Sequence, residues 1–232
     1  MGMIGIIGAM DEEVLTLKEK MDIKEVRSIA SLEFYIGNLH NTSVVVVMGG
    51  IGKVNAAMCT QVMIDCFHVD AIINTGVAGA LSDELEIGDV VISLDMVQHD
   101  MDATAFGYAI GQVPRMDVFS FKADEHLISI AERAADVLPQ STNVFVKRIV
   151  SGDMFVAGKD KKTWLVDKFD GFCTEMEGAA IAQVAHINKT PFVIIRSISD
   201  KADDSAEMNF DEFVTLAANN SCKMIEKMLE LI

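Results

Sequence analysis

The chain has 232 residues, half of them hydrophobic and 23% charged. That much apolar surface excludes a disordered chain, and the length suits a single domain spanning 1–232. Its 19 basic against 35 acidic residues leave a net charge of −16, which disfavours nucleic acid and anionic membranes as partners, because the average surface repels polyanions.

The first apolar run, 3–7, is short and apolar on both parities, as a strand covered on two faces should be. It ends in Gly8-Ala9-Met10-Asp11-Glu12-Glu13, which opens a predicted helix over 12–21. Acids in a first turn complement the helix dipole, and positions ~100° apart let at most one or two of the three face a cleft. Residues 32–39 and 43–48 read as a hairpin about Asn41, which makes the sheet mixed rather than purely parallel.

That hairpin runs into Gly49-Gly50-Ile51-Gly52-Lys53 ahead of a helix over 54–68, and a strand over 71–74 runs into Gly76-Val77-Ala78-Gly79. Both glycine segments are expected to be turns, where positive φ lets a ligand approach the backbone. Neither is a triphosphate-binding loop, since Val47 stands where a glycine is needed and Val54 where a serine or threonine is needed. No G-x-G-x-x-G follows the first strand, so nicotinamide dinucleotide binding has no support.

Residues 90–94 form the next predicted strand, followed by His99 beside Asp100. The other histidines, His40, His68, His126 and His186, join no acidic or cysteine motif, and no G-x-S-x-G elbow marks a serine hydrolase. A helix over 124–138, a strand over 144–150 and a helix over 159–169 follow, the last opening on the one basic cluster, Lys159 to Lys162, which Asp160 interrupts.

Thr174-Glu175-Met176-Glu177-Gly178 then leads into a helix over 177–188. In an extended lead-in, residues two apart share a side, so Glu175 and Glu177 both face a cleft or both face water. Surface acids capping a helix are the plainer reading. A buried strand over 192–197 passes into Arg196-Ser197-Ile198-Ser199-Asp200, and desolvation at such a strand end raises a carboxyl pKa and fits it to act as an acid. No histidine accompanies these acids and their spacing matches no calcium loop, so neither a metal nor a cofactor is expected.

The last helix, 211–231, carries Met224 and Met228 four apart, as core packing does. Cys59, Cys66, Cys173 and Cys222 form no C-x-x-C pair and are expected to be reduced core residues. No apolar run approaches the ~20 residues of a membrane span, and MGMIGIIGAMDEEV has no basic leader, so a cytoplasmic protein is expected. Strands alternating with helices define an α/β fold, whose ligands sit beyond the carboxyl ends of strands.

Eight segments, GIIGAMDEEV, GGIGKVNAA, NTGVAGAL, QHDMDATAFGY, SGDMFV, TEMEGAA, RSISDKAD and NFDEF, succeed one another in an order that resembles the 5'-methylthioadenosine/S-adenosylhomocysteine nucleosidases. The likeness runs essentially the full length. That family lies in the purine nucleoside phosphorylase superfamily, so the resemblance implies a three-layer α/β/α domain with a mixed central sheet, and a homodimer. It also implies hydrolysis of the N-ribosidic bond of methylthioadenosine and S-adenosylhomocysteine, with 5'-deoxyadenosine as a further candidate substrate and methionine salvage as one pathway served.

Such hydrolysis needs a water activated on one face of the sugar and a proton delivered to the departing base. By resemblance, Glu13 takes the proton from water, Asp200 protonates adenine N7 and Glu177 grips the ribose hydroxyls. Met176 lies against the ribose, Arg196 near the water, and Ser199 orients Asp200. Phe155 stacks on adenine and the Val156 backbone bonds the purine edge. Ala9, Met10, Ile51, Val77, Ala78 and Gly79 line the ribosyl and base pocket. An apolar slot for the 5' substituent is made by Phe210 and, from the partner subunit, Ala103, Phe106 and Pro114. Val77 stands where some members have a serine near the attacking water, and Ala103 where some have a valine, which widens the slot.

Three competitors remain. A phosphorylase needs cationic or hydroxyl groups for phosphate, and the two glycine loops supply only Lys53 and Thr75, so water is the expected nucleophile. An aminodeoxyfutalosine nucleosidase of menaquinone synthesis, with a larger 5' group, stays open. A non-catalytic nucleoside binder would have no use for an acid on each face of the sugar, yet Glu13, Glu177 and Asp200 are all present.

Overall fold

In the computed structural model, which describes residues 2–232, the four valines at 44–47 divide by parity between two cores. Val44 and Val46 pack with Ile4 and Ile6, while Val45 and Val47 pack with Ile7 and Ile72 on the opposite face. A strand buried on both sides needs apolar residues at every position, and both faces must then be covered.

The chain runs through β1 (Ile4–Gly8), α1 (Asp11–Lys20), β2 (Asp22–Ile29), β3 (Leu32–Leu39), β4 (Thr42–Met48), α2 (Lys53–Phe67), β5 (Ala71–Ala80), β6 (Val90–Gln98), β7 (Phe121–Lys122), α3 (Glu125–Ala134), β8 (Val144–Ser151), α4 (Lys159–Phe169), β9 (Cys173–Glu175), α5 (Gly178–Asn188), β10 (Phe192–Asp200) and α6 (Ala206–Leu231). The sheet order is β2-β3-β4-β1-β5-β9-β8-β6-β10, with β7 antiparallel on β6. β10 also pairs in parallel with β5, so this half of the sheet closes on itself. β1 is parallel to β4 and β5, whereas β2-β3-β4 is an antiparallel meander. The sheet is mixed, as the hairpin about Asn41 required.

Helices α1, α3 and α6 cover one face through Leu17, Leu127, Met224 and Met228; α2 and α5 cover the other through Met63, Phe67, Ala179 and Ile181. That is the expected three-layer α/β/α arrangement. A smaller cluster seats α4 by Leu165 and Phe169 against Leu81, Val97 and Val150. Among the described residues no helix is long and apolar enough to cross a membrane.

Three strands escape the sequence pattern. β2 is an exposed edge strand carrying Lys24, Glu25 and Arg27, a composition that blunts edge pairing and also erases the hydrophobic period. β7 and β9 have two and three residues, too few for any period to register. One cysteine expectation also fails: Cys59, Cys173 and Cys222 are buried, but Cys66 is exposed on α2.

Candidate active site

Strand β1 delivers Ala9 and Met10 to a cleft, and the first turn of α1 folds one acid back beneath them. Asp11 and Glu12 are exposed, while Glu13 is 2% exposed. Its Oε2 accepts from the Ala9 N–H at 2.6 Å and the Met10 N–H at 3.1 Å, and its Oε1 accepts from the Val77 N–H at 3.1 Å. The acid triplet therefore splits, two to solvent for the dipole and one inward. Burial pushes the Glu13 carboxyl above its ordinary range, against the pull of Arg196 and the three amides.

The second glycine segment is not a turn. Gly76 to Gly79 lie within β5, in register with Arg196 to Asp200 of β10, and none has positive φ. Glycine serves here by leaving room: a Cβ on Gly76 would overlap the Arg196 guanidinium, and one on Gly79 would stand 2.7 Å from Asp200 Oδ1. The first segment behaves as expected, with Gly50 at φ 87° and Gly52 at φ 95°, so that Gly52 can aim its N–H at Glu177 Oε1, 2.8 Å away.

Arg196 is fully enclosed. It donates through Nη1 to Thr75 O at 3.0 Å and through Nη2 to Asn74 Oδ1 at 2.7 Å and to Glu175, with Glu177 Oε2 3.5 Å away. Its Nε has no protein partner among the described residues. Glu175 and Glu177 both turn inward, so the shared side of the lead-in is the cleft side and neither is a surface acid, although Glu175 does accept from the Gly178 N–H that opens α5. Burial first, then the neighbouring Glu175, pushes the Glu177 carboxyl up to about 7.

Asp200 ends β10 at 2% exposure. The Ser199 hydroxyl donates to its Oδ2 at 2.9 Å and the Ala202 N–H to its Oδ1 at 2.8 Å, yet burial raises its pKa. Glu13 is anchored at the Val77 N–H, and Asp200 lies over Gly79, two residues further along β5.

These groups line one cavity of about 590 Å³. Its wall brings together Ala9, Met10, Glu13, Ile51, Val77, Ala78, Gly79, Phe155, Val156, Met176, Glu177, Ser199, Asp200 and Phe210. Phe155 and Phe210 meet edge to face at its mouth, ring centres 5.7 Å apart. Among the described residues the Val156 peptide groups hydrogen-bond to nothing in the chain. Arg196 sits behind the wall, and Ala103, Phe106 and Pro114 lie on the β6–β7 connection away from this chain's own cavity.

Met154, Thr174, Glu175, Glu207 and Asp211 also line the cavity without having been singled out as site residues. Only Glu175 gave a signal, its spacing of two from Glu177. His99 is buried outside the cavity, its ring nitrogens without a hydrogen-bond partner among the described residues, and burial pushes its pKa down to about 4. Lys53 is spent on Gln98 at 3.0 Å and Asp100 at 2.6 Å, and Thr75 on Ser221 at 2.6 Å.

The sequence model of the phosphorylase superfamily matches residues 3–230. A 5'-methylthioadenosine/S-adenosylhomocysteine nucleosidase of Staphylococcus carnosus is 46% identical over 98% of this chain and 99% of its own. The Neisseria meningitidis enzyme of the same name, solved with methylthio-immucillin-A, superimposes with a TM-score of 0.96 at 42% identity, with all of both chains covered. The native structure of a futalosine hydrolase of Helicobacter pylori gives a TM-score of 0.93 at 35% identity over 100% of this chain and 98% of its own. The chain is an N-glycosyl hydrolase and belongs to the 5'-methylthioadenosine/S-adenosylhomocysteine nucleosidase family of the phosphorylase superfamily.

Proposed function

We propose that this chain cleaves methylthioadenosine and S-adenosylhomocysteine by direct attack of water at C1', with Glu13 as base and Asp200 as acid. The observation that carries this is the pair of buried carboxyls on the wall of one cavity, Glu13 at the Val77 N–H and Asp200 over Gly79, which gives a base and an acid separate points of approach to one sugar. Glu13 takes the proton as the water oxygen bonds to C1'. Asp200 gives its proton to adenine N7 as the C1'–N9 bond breaks, so adenine leaves neutral and the sugar keeps the hydroxyl. The raised pKa of Asp200 suits a donor, and that of Glu13 suits a base.

The remaining cavity residues fit binding. Glu177 holds the ribose hydroxyls beside Met176, Ser199 orients Asp200, and the free Val156 peptide groups meet the purine edge while Phe155 stacks on its face. Arg196 Nε is the donor that helps place the water. With Val77 in place of a serine, its backbone N–H serves Glu13 and its side chain offers the water nothing. Phosphate is disfavoured because Lys53 and Thr75 are already engaged, Arg196 has only its Nε unspent, and Glu13 would repel the anion.

The 5' substituent lies against Phe210, in a slot completed by Ala103, Phe106 and Pro114 of a second copy. Phe106 is 85% exposed in the single chain, which leaves its ring available to a partner. A slot bounded by Ala103 also accommodates 5'-deoxyadenosine and longer groups. The second reading is therefore an aminodeoxyfutalosine nucleosidase, favoured by the likeness to a futalosine hydrolase. Methionine salvage in the cytoplasm is the setting we assign to the first reading.

Variants test the roles. Asp200→Asn and Glu13→Gln should each lower kcat for adenine release by about 10²–10⁴-fold, as loss of a general acid or base does, while the nucleoside still binds. Full turnover by Asp200→Asn would remove it as proton donor.

A further inference from the structure

Glu175 is the most heavily bonded carboxyl of the site, and no step above uses it. It ends β9 with its side chain 2% exposed. Its Oε1 accepts from the Ser151 hydroxyl and from the Gly178 N–H at 3.0 Å. Its Oε2 accepts from the Glu177 N–H at 3.1 Å, the Gly178 N–H at 2.8 Å and the Arg196 guanidinium. Ser151 Oγ in turn accepts from the Ala179 N–H at 2.8 Å, so its own proton is committed to Glu175. Every partner is a donor, drawn from β8, β10 and the mouth of α5.

This arrangement has a geometric and an electrostatic consequence. The peptide that carries Glu177 and the guanidinium that faces Glu177 are tied to one carboxylate, so neither moves without the other. Three buried carboxyls, Glu13, Glu175 and Glu177, also share the single charge of Arg196. The other titratable groups facing Glu175 are Cys173 on its own strand and His99 from the segment after β6; burial keeps the thiol protonated and the ring neutral at pH 7.

We propose that Glu175 is a positioning residue for the hydrolysis: it pins the Glu177 peptide and Arg196 to one point and withholds part of the guanidinium charge from Glu177 and Glu13. The inference rests on the proposed hydrolysis. Because Glu13 and Glu177 work ionised, Glu175 thereby sets how acidic the medium can become before the site fails. Removing its charge eases ionisation of both remaining carboxyls, so the direction of the effect is the same for each.

The test is the pH dependence of kcat/KM for adenine release from methylthioadenosine by wild type and Glu175→Gln. The variant keeps the side chain's size and should move the acid limb down by about one pH unit, the shift expected for losing a like charge a few ångströms away. The alkaline limb, which belongs to Asp200, should stay. Ser151→Ala keeps the charge and loosens one tether; its plateau should fall several-fold with the acid limb unmoved. If Glu175→Gln does not fold, Glu175→Asp draws the carboxylate back from Arg196 and should shift the limb the same way by less. An active Glu175 variant whose kcat/KM falls equally at every pH would overturn the positioning role and leave hydrolysis standing. Phosphate-dependent release by wild type would overturn both.

Discussion

Gly76 of β5 and Arg196 of β10 are register partners, and the guanidinium crosses the space where a side chain at position 76 would be. A Cβ there would overlap Arg196 Nη1 and stand 2.5 Å from Glu13 Oε1. The glycine thus makes way for an arginine and a carboxylate to meet inside a sheet.

Gly76→Ala should accordingly cost about 1–3 kcal/mol, the usual penalty for overpacking a filled interior, and lower turnover by displacing Arg196 and Glu13. Urea unfolding and adenine release measure the two effects. Wild-type values for both would mean that the strand has slack here.

Glu177 should make the enzyme less stable as the medium turns alkaline. Its carboxyl is pushed from 4.5 to about 7 in the folded chain, so its contribution is fully present below pH 4.5 and is lost as pH rises through about 7. Glu177→Gln keeps an acceptor for the Gly52 N–H and should gain roughly 1–3 kcal/mol at pH 8 and little at pH 4. Thermal melts at the two pH values read the difference; an equal change at both would contradict the assignment.

The proposed partner-completed slot predicts a particle of twice 25.3 kDa by light scattering. Phe106→Ala should raise KM for methylthioadenosine several-fold with little change in kcat, since the contact proposed for Phe106 is with the 5' substituent and not with the bond that breaks. A monomeric wild type, or a Phe106 variant with unchanged KM, would contradict the shared slot.

Much of this was legible in the sequence because the chemistry sits at strand ends. AMDEEV and SISD each follow an apolar run and EMEG opens a predicted helix, and the structure brings Glu13, Glu177 and Asp200 to one cavity. The role of the second glycine segment was not legible. GVAG looks like a turn by composition, and only the cross-strand register reveals that Gly76 and Gly79 face an arginine and an aspartate. Glu175 was visible only as one of two acids, since nothing local distinguishes a buried carboxylate with four donor groups from a surface cap. β2 was hidden by the charges that protect its edge.

The most direct measurement is adenine release from methylthioadenosine by the purified protein in phosphate-free buffer, repeated with phosphate added. The account predicts the same rate in both, with free methylthioribose as the second product. Release that requires phosphate and yields the sugar 1-phosphate would contradict it, because the site would then have to hold an anion where Glu13 stands.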